Sequence, residues 1–194
     1  MSFINPQSKE INCKIVYYGP QNAGKSTSLH QVYERTAPAN RGKLVSLSNS
    51  DDQALFFDFL PLSLGKVKNH ALRFHLYTVP GDAHYDSAQK MIMKGVDGVV
   101  FVVDSRIDRL EDNLNSWKSL EANLKNQDNN ILTLPIVIQY NKRDMASTLP
   151  IDELRQFFNK RNLPEFETDA RKGKNVLEAF QAVAKQVLVE LKKS

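Results

Sequence analysis

The chain has 194 residues, of which 41% are hydrophobic and 25% charged, and these values are ordinary for a globular protein. They predict one well-buried domain and exclude disordered, collagen-like and coiled-coil chains. The net charge is +4 with the basic residues spread along the chain, so nucleic acid is not expected as a partner. A single Cys13 indicates a reducing compartment, and no apolar stretch reaches the length of a signal peptide or membrane span. We therefore expect a cytoplasmic protein without direct membrane insertion.

Short apolar segments alternate along the chain with longer segments of helical spacing. Strands are predicted at residues 15–18, 55–60, 72–78, 98–103 and 134–139. The clearest helix is the last, in which apolar residues recur every three or four positions from Val176 to Leu191. This order predicts an α/β fold with a mostly parallel sheet and helices on both faces. Because no helix separates 55–60 from 72–78, these segments are expected to form an antiparallel edge.

A phosphate-binding motif follows the first predicted strand. Residues 19–26 read Gly-Pro-Gln-Asn-Ala-Gly-Lys-Ser, which fits GxxxxGK[ST] and opens a helical segment. The glycines let backbone N–H groups surround phosphate oxygens, and the helix N-terminus adds a favourable potential. Lys25 is expected to reach the β- and γ-phosphates, and Ser26 to bind Mg²⁺. The nucleotide-binding residues predicted in this loop are Gly19, Asn22, Ala23, Gly24, Lys25, Ser26 and Thr27.

A second motif is predicted to select the base. Asn141, Lys142 and Asp144 form an N-K-x-D sequence at the carboxyl end of a predicted strand, where ligands bind in open α/β sheets. A carboxylate at Asp144 can accept both the N1–H and the N2–H of guanine, a pair of donors that adenine lacks. Asn141 is expected to brace the loop, and the Lys142 stem to lie against the base. The backbone N–H of Ala170, next to Arg171, is expected to meet guanine O6.

With these motifs the sequence resembles the Ras-like small GTPases, and within them the MglA family of bacterial polarity and gliding GTPases. The narrower resemblance extends over nearly the whole chain. It includes residues 1–5, 11–19, 55–64, 77–81 and 95–102. The sequence Thr78-Val79-Pro80-Gly81 is distinctive, because most small GTPases have Asp where this chain has Thr78. By this resemblance, Thr78 and Gly81 belong to the nucleotide site.

The resemblance also implies an activity and partners. A single Ras-like G domain over residues 1–194 is expected to alternate between GTP and GDP, with Mg²⁺, and to control cell polarity or motility. The implied partners are a Roadblock-type activator resembling MglB and polar effector proteins that resemble response regulators. Recruitment to a cell pole is expected to run through such a partner.

Four residues depart from the family at positions tied to hydrolysis. Gln21 replaces a glycine, so its side chain is expected to crowd the γ-phosphate and the attacking water. Asp82 replaces a Gln that both accepts and donates, and its charge opposes the γ-phosphate. Gln53 stands where the family supplies an arginine finger, and Ala54 where the switch Thr contacts Mg²⁺ and the γ-phosphate.

Because Lys25 and the other binding residues are retained, we predict that nucleotide binding persists while unaided hydrolysis is very slow. One alternative is that neighbours such as residues 50–52 compensate, so that hydrolysis survives with a partner's help. A second is a GTP-locked interaction module that performs no chemistry. The N-K-x-D motif argues against a third alternative, a P-loop kinase or ATPase.

Overall fold

The computed structural model describes residues 3–5, 9–47, 57–82, 85–125 and 132–193. The strands are β1 (Phe3–Asn5), β2 (Glu10–Tyr18), β3 (Val45–Leu47), β4 (Phe57–Val67), β5 (His70–Thr78), β6 (Gly98–Asp104), β7 (Ile136–Asn141) and β8 (Glu165–Glu167). The helices are α1 (Lys25–Arg35), α2 (Asp86–Met93), α3 (Leu110–Lys125), α4 (Ile151–Phe158) and α5 (Val176–Lys193). Within the described ranges, no helix is both long and apolar enough to cross a membrane.

The strands form one sheet in the order β3-β4-β5-β2-β6-β7-β8, with β1 paired to the start of β2. Pairing is parallel from β5 through β2, β6 and β7 to β8, and antiparallel for β3–β4 and β4–β5. The predicted α/β fold with a mostly parallel sheet is therefore confirmed. The antiparallel side is larger than expected, because β3 pairs outside β4. A tight turn closes the β4–β5 hairpin with positive φ at both Lys68 and Asn69, the backbone that such turns require.

Helices cover both faces of the sheet and divide the core into two clusters. On one face α1 and α5 pack against the sheet, with Val183 and Phe180 among the buried residues. On the other face α2, α3 and α4 contribute residues such as Met93, Leu120 and Phe158. All seven residues of β6 are buried because this strand is central and covered on both sides. The parallel strands β2, β6 and β7 end at the same edge of the sheet, where the loops that carry the two motifs meet.

Candidate nucleotide-binding site

The phosphate loop is folded around the Lys25 ammonium group. Lys25 Nζ donates to the carbonyl oxygens of Gly19 at 2.8 Å and Pro20 at 2.7 Å. Gly24 precedes α1 with φ 103°, a left-handed conformation that favours glycine. A Cβ atom at Gly24 would lie 2.2 Å from Nδ2 of Asn141, so only glycine allows this side chain to approach the loop.

Burial changes the protonation of Lys25. The residue is only 7% exposed, and desolvation lowers the pKa of its ammonium group to about 7, against the opposing attraction of Asp58. Near neutral pH the group is therefore divided between its charged and uncharged forms. An anion placed beside it favours the charged form, so phosphate binding and protonation of Lys25 are coupled.

Two neighbouring cavities open at the carboxyl edge of the sheet. The first, which we call the phosphate cavity, has a volume of about 480 Å³. Among the residues that line it are Gln21, Asn22, Lys25, Ser26, Asp58, Thr78, Gly81 and Asp82. The second, which we call the base cavity, has a volume of about 360 Å³, and its lining includes Asn22, Gly24, Thr27, Asn141, Lys142, Asp144, Ala170 and Arg171. Asn22 lines both, so the two cavities lie side by side along one loop.

Two of the predicted loop residues line neither cavity. Gly19 lies against β6, where a Cβ atom would be 2.3 Å from the carbonyl oxygen of Val102. Ala23 is fully buried, and its carbonyl oxygen accepts a hydrogen bond from the Asn141 side chain. Both residues therefore support the phosphate loop on the side that faces the protein interior.

The Asn141 side chain joins the phosphate loop to the base loop. Its Nδ2 donates to the carbonyl oxygen of Ala23 at 2.7 Å. Its Oδ1 accepts from the backbone N–H of Ala170 at 2.9 Å and from the Thr168 hydroxyl at 3.1 Å. The Ala170 N–H, which the sequence assigned to guanine O6, is thus directed at Asn141 in this structure. The neighbouring Arg171 N–H donates to Asp169 Oδ1 at 3.0 Å.

Lys142 is anchored by a buried carboxylate at the end of β6. Its Nζ lies 2.7 Å from Oδ2 of Asp104, which has no exposed surface and also accepts from Arg106 at 3.0 Å. Burial opposes the charge on Asp104, but the hydrogen bonds from Arg106 and Lys142 outweigh it and lower the pKa of that carboxyl. The Lys142 stem is held beside the base cavity, and Asp144 lies on the wall of the same cavity.

Sequence reasoning missed Asp58, a buried carboxylate in the phosphate cavity. Asp58 lies on β4, its Oδ1 accepts from the Ser46 hydroxyl at 2.7 Å, and its Oδ2 accepts from the Thr78 hydroxyl at 2.9 Å. Thr78 itself is buried and directed at Asp58. The available signal in the sequence was an acidic residue, Asp58, between two aromatic residues of a predicted strand, Phe57 and Phe59. Its contact with Thr78, however, depends on the pairing of β4 with β5.

The hydrolysis-linked substitutions are only partly within the described residues. Gln21 and Asp82 both line the phosphate cavity, while Gln53 and Ala54 lie outside the described ranges. Gly81 brings the backbone after β5 against the phosphate loop, since a Cβ atom there would lie 2.2 Å from the backbone nitrogen of Gln21. This close approach fixes the position of Asp82 relative to the loop.

A second residue that no motif indicated is Arg109, at the end of the short 3₁₀ turn before α3. Its Nη2 donates to the backbone carbonyl of Gln21 at 2.9 Å, across 88 positions of sequence. A third cavity of about 330 Å³ lies at this contact, between the phosphate loop and α3. Only the folded packing of α3 against the loop reveals this contact.

The donors in the phosphate cavity suit a hard cation. In the described part of the chain, no group of three or more His, Cys, Asp or Glu side chains could hold a metal ion by itself. The hydroxyl of Ser26 and the carboxylate of Asp58 are both oxygen donors on the same cavity. Mg²⁺ is commonly bound in this way, by few protein oxygens together with substrate phosphates and water. The residues present therefore fit a magnesium–nucleotide complex.

Comparison with known proteins identifies the class. The model of the ADP-ribosylation factor family matches residues 2–187. The chain belongs to the Arf/Ras-like small GTPases. It is a homologue of the mutual gliding-motility protein MglA of Myxococcus xanthus (strain DK1622), with 54% identity over 193 residues, which is 100% of this chain and 99% of that protein.

Two more distant relatives are eukaryotic proteins. The Ras-related protein Rab-7a of Dictyostelium discoideum is 24% identical over 186 residues, covering 93% of this chain and 84% of that protein. The Ras-related protein Rab7 of Pisum sativum is 26% identical over 191 residues, covering 94% and 85%. The predicted resemblance to Ras-like GTPases, and within them to MglA, is confirmed.

Proposed function

We propose that the chain is a guanine-nucleotide-binding switch of the MglA type that controls cell polarity or motility, and that its unaided GTP hydrolysis is very slow. One observation carries the binding proposal: Asn141 fastens the base loop to the phosphate loop, so that the two cavities form one elongated site. The gliding-motility name of the Myxococcus relative supports the cellular role.

In the phosphate cavity, the proposed binding rests on charge and on backbone donors. Lys25 supplies a cation to the β- and γ-phosphates, and the loop N–H groups surround them at the N-terminus of α1. Ser26 and Asp58 would hold Mg²⁺, directly or through water. When bound, Mg²⁺ neutralises phosphate charge and orients the nucleotide.

In the base cavity, Asp144 is proposed to select guanine. Its carboxylate accepts from the two donors on the guanine edge, whereas adenine does not present that pair. Lys142 is held by Asp104 with its stem beside the proposed position of the base. Asn141 holds the phosphate loop and the base loop together. Thr27, Ala170 and Arg171 line the same cavity. GTP or GDP is the ligand proposed for the two cavities together.

Slow hydrolysis is proposed from two residues that line the phosphate cavity, Asp82 and Gln21, and from two departures outside the described ranges, Gln53 and Ala54. Asp82 lies on the phosphate cavity, where an ionised carboxylate accepts but cannot donate and repels the phosphate. Gln21 adds a side chain on the same wall. Gln53 cannot replace an arginine finger, a group worth about 10³ to 10⁵ in rate, or about 4 to 7 kcal/mol. Ala54 offers no hydroxyl to Mg²⁺.

Regulation and location are proposed from the resemblance. The partners are a Roadblock-type activator like MglB and effectors that resemble response regulators at a cell pole. The protein itself is proposed to reside in the cytoplasm and to reach the pole through such a partner.

Two measurements test this function. The first identifies the nucleotide that copurifies with the protein, and guanine nucleotide is expected. The second measures single-turnover phosphate release after loading with GTP and Mg²⁺, and release well below about 10⁻⁴ s⁻¹ is expected. Tightly held GTP with no measurable release favours the second candidate, a GTP-locked module that only recruits partners. Adenine nucleotide in place of guanine nucleotide in the purified protein contradicts the proposal.

A further inference from the structure

We propose that Arg109 is a positioning residue, which fixes the peptide between Gln21 and Asn22 so that the Asn22 N–H is directed at a bound phosphate. The inference rests on the proposed nucleotide-binding function and deepens it. It assigns a role to a side chain outside both sequence motifs.

The guanidinium group of Arg109 is held in place from two sides. Its Nη1 lies 2.6 Å from Oδ2 of Asp112, three residues further along the chain in the first turn of α3. Its Nε lies 3.8 Å from Oδ2 of Asp104, is buried, and makes no hydrogen bond within the described ranges. The remaining nitrogen, Nη2, donates to the carbonyl oxygen of Gln21 at 2.9 Å. Because the group is planar, its ion pairs with these two carboxylates favour one direction for the third donor.

The position of the Gln21 carbonyl then determines the direction of the Asn22 N–H, because both groups belong to the same peptide. A trans peptide is planar, and its C=O and N–H point in opposite directions. The carbonyl of Gln21 points towards Arg109 and the cavity beside α3, whose lining does not include Asn22. Asn22 instead lines the phosphate and base cavities. The Asn22 N–H is therefore on the ligand side of the loop.

This N–H group has capacity for a ligand. No acceptor for it is found in the part of the chain that the structure describes. Asn22 also has φ 61°, a left-handed conformation that is uncommon for non-glycine residues, is adopted more readily by Asn than by most, and needs the surrounding loop to hold it. A charge-assisted hydrogen bond to the preceding carbonyl supplies such a hold, and it also polarises the peptide towards a more positive N–H. The Arg109 cation at the carbonyl end of the peptide thus favours a phosphate anion at its N–H end.

The test compares Arg109→Ala with Arg109→Lys and with a matched control, Arg73→Ala. Arg73 is an exposed arginine that is paired with Glu10, away from the site. Affinities for GDP and for GMP are measured by calorimetry with Mg²⁺. We expect Arg109→Ala to weaken GDP binding by about tenfold and GMP binding by less than about twofold, because the terminal phosphate loses its donor. Arg109→Lys should recover part of the GDP affinity, since an ammonium can still donate to Gln21.

A spectroscopic measurement separates positioning from folding. In protein with ¹⁵N-labelled asparagine, GDP should move the Asn22 amide proton downfield in the wild type and in Arg73→Ala. The movement should shrink in Arg109→Ala. An equal loss of GDP and GMP affinity, or an unchanged Asn22 signal in Arg109→Ala, overturns the inference. If the wild type binds no guanine nucleotide, the proposed function itself fails. If it binds GDP and Arg109→Ala binds it equally well, only this inference fails.

Discussion

Asp58 and Thr78 face each other across the antiparallel pair β4–β5 and exchange two hydrogen bonds. The Thr78 hydroxyl donates to Asp58 Oδ2 at 2.9 Å and accepts from the Asp58 backbone N–H at 2.8 Å. The buried carboxylate of the phosphate cavity therefore comes from β4, while position 78, an Asp in most small GTPases, supplies the hydroxyl that orients it. An assignment from motif position alone would place this charge at position 78 on β5, whereas it lies on the neighbouring strand β4.

Removing the charge of Asp58 should uncouple nucleotide retention from Mg²⁺. In Asp58→Asn, the amide keeps the size of the side chain but is a weaker ligand for a hard cation. We expect chelation of Mg²⁺ to accelerate GDP release strongly in the wild type and by about tenfold less in the variant. Release of a fluorescent GDP with and without EDTA measures this. Asp152→Asn, an exposed exchange of the same chemistry, is the control and should behave as wild type.

GDP affinity should fall as the pH rises above 7, because of Lys25. Burial lowers the pKa of this ammonium group to about 7 in the free protein, and phosphate binds its charged form. Above that pH, binding must take up a proton, so affinity falls by up to about tenfold per pH unit between about pH 7.5 and 9. Calorimetry in two buffers of different ionisation enthalpy measures the proton uptake. In Lys25→Arg, any binding that remains should lack this slope, and a flat wild-type profile contradicts the prediction.

Gln89 on α2 should contribute to stability through buried hydrogen bonds. Its Nε2 donates to the Pro80 carbonyl at 2.8 Å, and its Oε1 accepts from the hydroxyls of Tyr18 at 2.5 Å and Ser119 at 3.2 Å. Gln89→Leu leaves the buried Pro80 carbonyl without this donor and removes one acceptor from Tyr18, which keeps its contacts with Ser119 and Asn123, so the free energy of unfolding should fall by about 2 kcal/mol. Urea unfolding checks this value. The adjacent exposed substitution Lys90→Ala should change it by no more than about 0.5 kcal/mol.

Asp144 should determine which base is bound. In Asp144→Asn, the side chain gains a donor that matches the C2 carbonyl of xanthine, so preference should shift from GDP towards xanthosine diphosphate. Competition binding against GDP, ADP and xanthosine diphosphate measures the order of affinities. An unchanged preference for GDP places the base elsewhere. Arg143→Ala, the neighbouring substitution outside the base cavity, should leave the order as it is.

Hydrolysis should return only when the four departures are reverted together. The variant combines Gln21→Gly, Gln53→Arg, Ala54→Thr and Asp82→Gln. Because the resemblance ties all four positions to the same phosphate, single reversions should do little, and the effects should not add. Single-turnover phosphate release, with and without a Roadblock-type activator, compares each variant with the wild type. A wild-type rate equal to that of an ordinary small GTPase contradicts the interpretation of all four residues.

The sequence predicted the parts of this site that are contiguous in the chain. The loop that ends at Lys25 and the loop from Asn141 to Asp144 each carry their chemistry within a few residues, next to a strand that could be recognised. Asp58 and Arg109 were missed because each reaches the site through a contact that depends on packing, across β4–β5 or between α3 and the phosphate loop. No local pattern encodes such a contact.

Strand boundaries were predicted least well where polar side chains interrupt the apolar runs. The first predicted strand began at Ile15, whereas β2 begins at Glu10. Asn12 and Lys14 occupy one face of its first half, where the Asn12 side chain bonds to His75 and the Lys14 side chain donates to the carbonyl oxygen of Lys94. Such positions break the apolar run without ending the strand, because the backbone ladder with β5 continues through them. The three-residue β3 is too short to show any periodicity.

The contacts of Asn141 also connect distant parts of the polypeptide. Its partner Ala23 is 118 positions away towards the N-terminus, and Ala170 is 29 positions away towards the C-terminus. A fragment that lacks either end of the chain cannot form the complete binding site. For the same reason, guanine nucleotide has little affinity for partly folded forms. Excess nucleotide therefore shifts the equilibrium from all partly folded forms towards the fully folded domain. Retention of nucleotide becomes a measure of whether the whole domain, rather than one loop, is intact.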